Sequence, residues 1–265
     1  MRHRLLVVVV VGFWAVMMAS LARRWLLEVK PQLVPGTYLA VLTPERRNYQ
    51  TRMGIYVPHG PSLERVGYTE TVFFYGPDEK YNITNTTRIE APMTGLLSKL
   101  GNLRLDTTAV IGKNHALERL TVTLDSPAVK AECWGHVEGD DLVLRARIGG
   151  VESSERIPLP QGGLVASGLS PLYALPPLRV GQRWSVAVVD PLTLRPSTVE
   201  MEVVHRQPLD WAGHRWYTHV VDIRTDYLRA RAWVSRHGEV LKERTLFGLT
   251  LIKEPLPGGT EEEGK

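Results

Sequence analysis

The sequence predicts an all-β protein: an antiparallel meander that forms a large curved sheet or open barrel, preceded by one N-terminal transmembrane helix. Two observations predict the sheet. Apolar and polar residues alternate along much of the chain, and Gly- and Asp-rich turns separate these runs at hairpin spacing. A third observation, a long uncharged run close to the N-terminus, predicts the helix.

The N-terminal run covers residues 5–22 and contains no charged side chain. At about 1.5 Å per residue, a helix of this length spans the hydrocarbon core of a bilayer. We expect an uncleaved signal anchor after a short leader at 1–4, in a single-pass protein of the cell membrane. The rest of the chain is then extracytoplasmic. The alternative is a signal peptide that is cleaved before Arg23, after a Ser20-Leu21-Ala22 triplet that has the small residues a signal peptidase accepts.

The charge of the chain gives no support for nucleic-acid binding. The formal net charge is +4, and the residues that flank the anchor account for it: Arg2, Arg4, Arg23, Arg24 and Lys30 against Glu28. The remaining body is therefore close to neutral. Its 43% hydrophobic content is sufficient for a core. Cys133 is the only cysteine, which excludes an internal disulfide and a cysteine-based zinc site.

Residues 61–254 carry the strand patterns, and roughly a dozen strands fit there. Leu142, Leu144, Ala146 and Ile148 alternate with Val143, Arg145, Arg147 and Gly149, as expected for a strand with one buried face. Short turns predict four hairpins, which pair 66–75 with 80–89, 103–111 with 117–125, 129–137 with 142–149, and 227–234 with 239–246. Such short connections favour an antiparallel meander.

Three segments depart from this pattern. Residues 23–60, with four prolines from position 31 onward, predict an irregular membrane-proximal lead. Residues 162–181 predict a loop that subdivides the domain, although both parts are compatible with one continuous sheet. The tail at 255–265 predicts disorder. Two sequons begin at Asn82 and Asn85, and we interpret them as chance matches rather than glycosylation sites.

No motif indicates catalysis or a cofactor. On a strand, Cys133 shares its face with Ala131 and Gly135, whereas His136 projects from the other face, so the pair is not a nucleophile with its base. The eight histidines lack metal-ligand spacing, and neither a nucleophile elbow nor a phosphate-binding loop occurs. We therefore predict a protein that is not an enzyme, with no catalytic residue, no metal site and no cofactor.

Aromatic side chains are the remaining positive feature. Phe73 lies in one predicted hairpin, and Trp216 and Trp233 lie near the C-terminus. They are interpreted either as sheet core or as the lining of an apolar groove that shelters a ligand such as a lipid.

Several C-terminal motifs resemble a known group of domains. The segments 178–186, 199–203 and 231–243, with Trp233 and Gly238 in the last, resemble bacterial cell-envelope domains of unknown function. That group includes the β-rich domain upstream of the catalytic domain in transglutaminase-like membrane proteins. The chain is also similar to domains that share the open β-barrel of the LolA-type lipoprotein carriers. The resemblance covers residues 66–254 and implies an open barrel; no catalytic residue carries over.

Three hypotheses for function follow. The first is a membrane-anchored, non-catalytic β domain that acts by contacts with an envelope protein. The second is a carrier or sensor of an apolar ligand, bound on a concave sheet face. The third is a hydrolase whose site would gather Cys133 or His219 with carboxylates.

Overall fold

A computed structural model of the chain describes residues 48–90, 102–113, 116–158, 164–165, 175, 178–189, 196–225, 229–245 and 248–256. All of them fall within one compact unit. None of these residues belongs to a helix of the length and apolarity needed to cross a membrane. The predicted leader and anchor at 1–22 lie outside the described residues, as do most of the predicted irregular lead and most of the predicted tail.

The described residues form fifteen β-strands that belong to a single sheet. The strands are β1 Asn48–His59, β2 Ser62–Tyr75, β3 Tyr81–Ile89, β4 Leu103–Ile111, β5 Leu117–Asp125, β6 Lys130–Glu138, β7 Asp141–Ile148, β8 Val151–Pro158, β9 Leu164–Val165, β10 Arg183–Val189, β11 Pro196–Trp211, β12 His214–Arg224, β13 Arg229–Val234, β14 Val240–Arg244 and β15 Thr250–Glu254. The all-β prediction is confirmed.

The strand order is a meander that begins and ends in the middle of the sheet. Strands β1 to β8 follow one another outward on one side, and β15 back to β9 follow one another outward on the other. The two sides are joined where β1 pairs with β15, a junction that we call the seam. All described pairings are antiparallel except that of β9 with β10. The sheet is not closed, because β8 and β9 stand at its two ends.

Alternation explains how this sheet builds a core. In β4 every second side chain is buried, as the sequence pattern predicts, and in β7 Leu142, Leu144 and Ala146 are buried whereas Ile148, the last of the predicted series, is exposed. We call the face that carries these side chains the inner face. One apolar cluster on it combines β1 to β4 with β10 to β15, and a second one extends over β3 to β8. A single sheet buries one face in this way when it curls around that face.

The prediction of an irregular segment is wrong for residues 48–59. They form β1, the strand next to the seam, so the domain begins at least thirteen residues before position 61. Tyr49, Thr51, Met53 and Ile55 alternate toward the inner face, and β1 is paired on both sides. Its proline, Pro58, stands one residue from the end of the strand, where a missing N–H is tolerated.

The hairpin of β11 and β12 is the longest in the C-terminal part of the sheet. Its turn residues Ala212 and Gly213 both have positive φ, at 50° and 75°, as a tight two-residue hairpin turn requires. Near its tip, the Trp211 indole N–H donates to the Lys253 carbonyl oxygen at 2.7 Å. The hairpin tip is thereby fixed to β15.

Candidate functional site: the inner belt and the free edge

The structure does not bring the three predicted lining residues onto one surface. Phe73 is buried on the inner face of β2, with its ring 6.1 Å from that of Tyr49. Trp233 pairs with Val220 and lies on the face opposite to Ala232, a member of the inner core. Alternation places Trp216 on the same face of β12 as Val220.

Intermediate side chains connect Phe73 with Trp216 at the rim of the sheet. Tyr49 donates from its hydroxyl to Glu239 at 3.0 Å, and Glu239 forms an ion pair with Lys253. The Lys253 ammonium lies 5.4 Å from the Trp211 ring, which packs edge-on against Trp216 at 5.8 Å. This rim cluster joins β1 to the tip of the β11–β12 hairpin. It is an internal brace, and the groove predicted for Phe73, Trp216 and Trp233 stays a prediction.

The candidate reactive residues are separated in the sheet. Cys133 is buried between Val122 and Ala146 on the inner face, and burial raises the pKa of its thiol. His136 lies on the exposed face, beside Glu138 at 2.8 Å. The prediction that Cys133 and His136 occupy opposite faces is confirmed. No cluster of three potential metal ligands occurs among the described residues.

His219 is held by a cation rather than by a carboxylate. Its ring Nε2 accepts a hydrogen bond from the Arg206 guanidinium at 3.1 Å. Burial lowers the pKa of His219, and the charge of Arg206 lowers it further. Because Nε2 accepts this hydrogen bond, the arrangement fits the neutral imidazole with its proton on Nδ1. A histidine that acts as a general base is commonly oriented by a carboxylate, whereas the hydrogen-bond partner of His219 is Arg206.

A polar belt interrupts the inner face between the two apolar clusters. It consists of five buried side chains from three adjacent strands: Thr69, Thr71, Asn85, Thr87 and Thr107. Sequence reasoning missed this threonine belt, because threonine and asparagine at alternate positions resemble a solvent-facing row. The sequon residue Asn85 is 3% exposed, which agrees with the interpretation of its sequon as a chance match.

Hydrogen bonds within the threonine belt satisfy most of its polar atoms. The Asn85 amide donates to the Thr69 hydroxyl at 2.9 Å and to the Thr71 hydroxyl at 2.8 Å. Thr87 contacts the Thr69 hydroxyl at 2.9 Å and the Asn85 amide oxygen at 3.2 Å. Thr107 differs: it is 2% exposed, and its hydroxyl has no hydrogen-bond partner within the described ranges.

The outer face of the seam carries a network of charges. Glu254 accepts two hydrogen bonds from the Arg65 guanidinium, at 2.7 and 2.9 Å, and one from the Tyr56 hydroxyl at 3.1 Å. Arg52 lies 3.6 Å from both Glu254 and Glu70. The hydrogen bond from Arg65 holds the pKa of Glu254 below its usual value. Burial and the hydrogen bond to Glu254 raise the pKa of Tyr56.

Strand β8 stands at one end of the sheet and, in contrast to the strands of the seam, has a free edge. We use this name for the side of Val151–Pro158 that faces away from β7, where no further strand pairs in the described part of the chain. All side chains of β8 except Ile157 are exposed, and Val151 is 72% exposed. Across the turn, Ile148 is 54% exposed. Sequence reasoning missed β8 because Glu152–Arg156 is uniformly polar; the turn signal of Gly149-Gly150 after β7 could have revealed it.

The hairpin turn determines which backbone groups of β8 face outward. Gly149 and Gly150 both have positive φ, and Ile148 pairs directly with Val151. A two-residue turn of this type closes on a hydrogen-bonded pair. Since hydrogen-bonded and non-hydrogen-bonded pairs alternate in an antiparallel ladder, the backbone groups of Glu152, Ser154 and Arg156 point away from β7. The free edge thus offers three amides and three carbonyls in a row.

Comparison with known proteins finds similar solved structures but no sequence match. No family model matches the chain, and no curated protein matches it. The fold is similar to a solved structure described as a beta-barrel-like protein of domain of unknown function DUF1849 from Brucella abortus. The TM-score is 0.50 at 9% identity, over 79% of this chain and 97% of that one.

This likeness concerns the fold alone. It supports the predicted β domain with a barrel-like, open sheet. It is a likeness to neither the transglutaminase-associated domains nor the LolA-type carriers, so those two resemblances stay predictions.

Proposed function

We propose that this chain is a membrane-anchored, non-catalytic contact module of the cell envelope. Its β domain, on the extracytoplasmic side, receives an extended segment of another polypeptide at the free edge. The observation that carries this proposal is β8, an eight-residue and largely exposed strand whose outward-facing backbone groups at Glu152, Ser154 and Arg156 meet no further strand among the described residues. An added strand pairs with such an edge through main-chain hydrogen bonds.

The environment of the free edge supports the same function. Native sheets shield their edges with charges, and β8 carries Glu152, Glu155 and Arg156. Two of them are already oriented by neighbours in the sheet: Arg147 contacts Glu152, and Glu138 lies 2.8 Å from Arg156. Fixed charges select a complementary segment and reject others, so the edge is suited to specific rather than indiscriminate pairing.

Photo-crosslinking in a membrane-containing host tests this proposal. Benzoylphenylalanine is placed at position 154 in the full chain, or at position 108 as the matched control. Thr108 is also exposed, but it belongs to β4, which is paired on both sides. We expect a discrete adduct from position 154 and none from position 108. Equal labelling from both positions, or no adduct from position 154, contradicts the proposal.

A second candidate function, a carrier of an apolar ligand, is favoured by the threonine belt. The buried Thr107 lies on β4 between Leu105 and Ala109 and pairs with Val122, and all three belong to the second apolar cluster. Its hydroxyl is therefore a donor in apolar surroundings, which suits a ligand with an apolar chain and an acceptor oxygen. A lipid ester has this chemistry. The resemblance to LolA-type carriers points in the same direction.

Native mass spectrometry tests the carrier hypothesis. The full chain is purified from a membrane-containing host, and bound molecules are extracted with organic solvent. A reproducible lipid-sized adduct that decreases in Thr107→Val supports a carrier. A clean mass after incubation with envelope lipids contradicts it.

A further inference from the structure

We infer that the strand received at the free edge is β8 of a second copy of this chain. The inference rests on the proposed function and names the partner for it. Two β8 strands would pair antiparallel about a twofold axis through Ser154, and the two sheets would become one.

The backbone allows this pairing. A hydrogen-bonded pair between two edges requires that both residues direct their amides outward. With Ser154 opposite Ser154 of the second copy, Glu152 stands opposite Arg156, and Arg156 opposite Glu152. All three outward-facing residues of each copy are then hydrogen-bonded. Pro158, which has no N–H to donate, falls beyond the seven residues that pair.

In this register, opposite charges of the two β8 strands face each other. In the registers shifted by two residues in either direction, they do not. Each Glu152 faces an Arg156 across the interface, so two opposite-charge pairs form. They extend an existing cross-strand row on the exposed face, in which Glu132, Arg147 and Glu152 already alternate in sign. A shift by two residues in one direction places Arg156 opposite Gly150. A shift in the other direction places Glu155 against Glu155.

The pairing also covers apolar surface that one copy leaves exposed. Val151 stands on the inner-face side of β8 and would lie opposite Ile157 of the second copy. In one copy, Val151 is 72% exposed whereas Ile157 is 3% exposed. The buried face of one sheet would thus continue into that of the next copy.

Charge reversal tests this register. Glu152→Arg and Arg156→Glu each place two pairs of like charges across the interface, whereas an equal mixture of the two variants restores two opposite-charge pairs. We expect each variant alone to raise the dissociation constant of the dimer roughly tenfold or more, and the mixture to recover the wild-type value. Glu155→Arg is the control, because it makes the same charge change opposite Ser153 and should leave the constant unchanged.

The measurement is sedimentation velocity of the full chain in detergent micelles over a range of protein concentrations. Recovery in the mixture also shows that both variants are folded, because misfolded chains would not recover together. A wild-type chain that is monomeric at every concentration overturns the inference. Variants that dimerise as tightly as the wild type overturn it too.

The mass of the adduct from position 154 separates this inference from the proposed function. An adduct of twice the 29.7 kDa chain mass supports a second copy. A discrete adduct of any other mass overturns the inference and leaves the contact module standing. No adduct overturns both.

Discussion

The seam and the free edge both belong to antiparallel strands of one sheet, yet they bury their side chains to different extents. At the seam, Ile55 and Leu251 are cross-strand partners with 0% exposure. At the free edge, Val151 occupies an inner-face position and is 72% exposed. The charges differ in the same way. The ion pair at the seam joins Arg65 to Glu254, which are 189 positions apart in the sequence. The ion pair at the free edge joins Arg147 to Glu152 within one hairpin.

This comparison separates the stabilising part of the sheet from the part that is available for contacts. Partners distant in sequence close the seam, so a change there acts on the whole domain. The free edge is held by its own hairpin, and most of its surface faces solvent. A residue at the edge can therefore change an interaction with little effect on folding, which is the property of a contact surface.

The largest expected effect on the free energy of unfolding comes from truncating a buried side chain at the seam, compared with an exposed one at the free edge. Leu251→Ala should lower the free energy of unfolding by about 2–5 kcal/mol, because a fully buried leucine leaves a cavity. Val151→Ala should change it by less than about 0.5 kcal/mol, because little of that side chain is buried. Urea denaturation followed by tryptophan fluorescence measures both. Equal losses of unfolding free energy in Leu251→Ala and Val151→Ala would contradict the distinction between the seam and the free edge.

The threonine belt should depend on Asn85. Asn85→Ala removes the donor to Thr69 and Thr71 inside the sheet, so we expect a loss of about 1–3 kcal/mol. Asn82→Ala is the matched control, because Asn82 lies on the same strand but on the opposite face. It should change stability by less than about 0.5 kcal/mol in the same denaturation experiment. If the control loses as much as Asn85→Ala, the belt has no special role.

Acid should weaken the seam through Glu254. Its pKa in the folded state is depressed by the hydrogen bond from Arg65. Its stabilising contribution is therefore fully present above the unfolded pKa of about 4.3, and it is lost as the pH falls through the lower folded value. At pH 7, Glu254→Gln should cost about 1–2 kcal/mol, and its difference from the wild type should shrink below about pH 4.

The control at the free edge is Glu152→Gln, which removes an exposed ion pair with Arg147. Its effect should stay below about 0.5 kcal/mol between pH 3 and 7. Thermal unfolding across this pH range compares the two variants. A Glu254→Gln difference that does not depend on pH would contradict the ionic role of Glu254.

The smallest effect concerns Thr107, and its sign is informative. Without a ligand, Thr107→Val should raise stability by up to about 1 kcal/mol, because it removes a buried hydroxyl with no partner in the described part of the chain. Thr121→Val, at an exposed position of β5, should be near neutral. A clear loss in Thr107→Val alone would contradict this expectation and mean that the hydroxyl is hydrogen-bonded within the folded chain. Denaturation of delipidated protein measures this difference.

Local patterns predicted the hairpins, but they could not predict how the hairpins meet. The turn at Gly76–Lys80 and the alternation of Leu142–Ile148 identified β2, β3 and β7 because the signal lies within a few residues. The seam pairs Arg52 with Glu254, and no local pattern records a pairing over such a separation. Prolines at 31–58 suggested irregular structure, although only Pro58 lies within β1.

The candidate site was less predictable than the fold. The sequence analysis predicted a site from aromatic residues. In the structure, the Trp233 indole N–H donates a hydrogen bond to Gln207 at 3.4 Å, and Trp233 does not share a face with Phe73. The threonine belt and β8 consist of residues that normally indicate solvent. The threonine belt matters because its face of the sheet is buried, and β8 matters because it is the end strand of the sheet. Both properties arise only in the assembled sheet.

Amide hydrogen exchange along β8 tests the central claim, that this strand has a free edge which accepts another strand. At high dilution, the amides of Glu152, Ser154 and Arg156 should exchange faster than those of Ser153, Glu155 and Ile157, which bond to β7. At high protein concentration, the first three should become protected while the second three change little. Equal protection of both sets at high dilution would contradict the free edge itself, and an edge whose exchange is the same at all concentrations would contradict its pairing with a second copy.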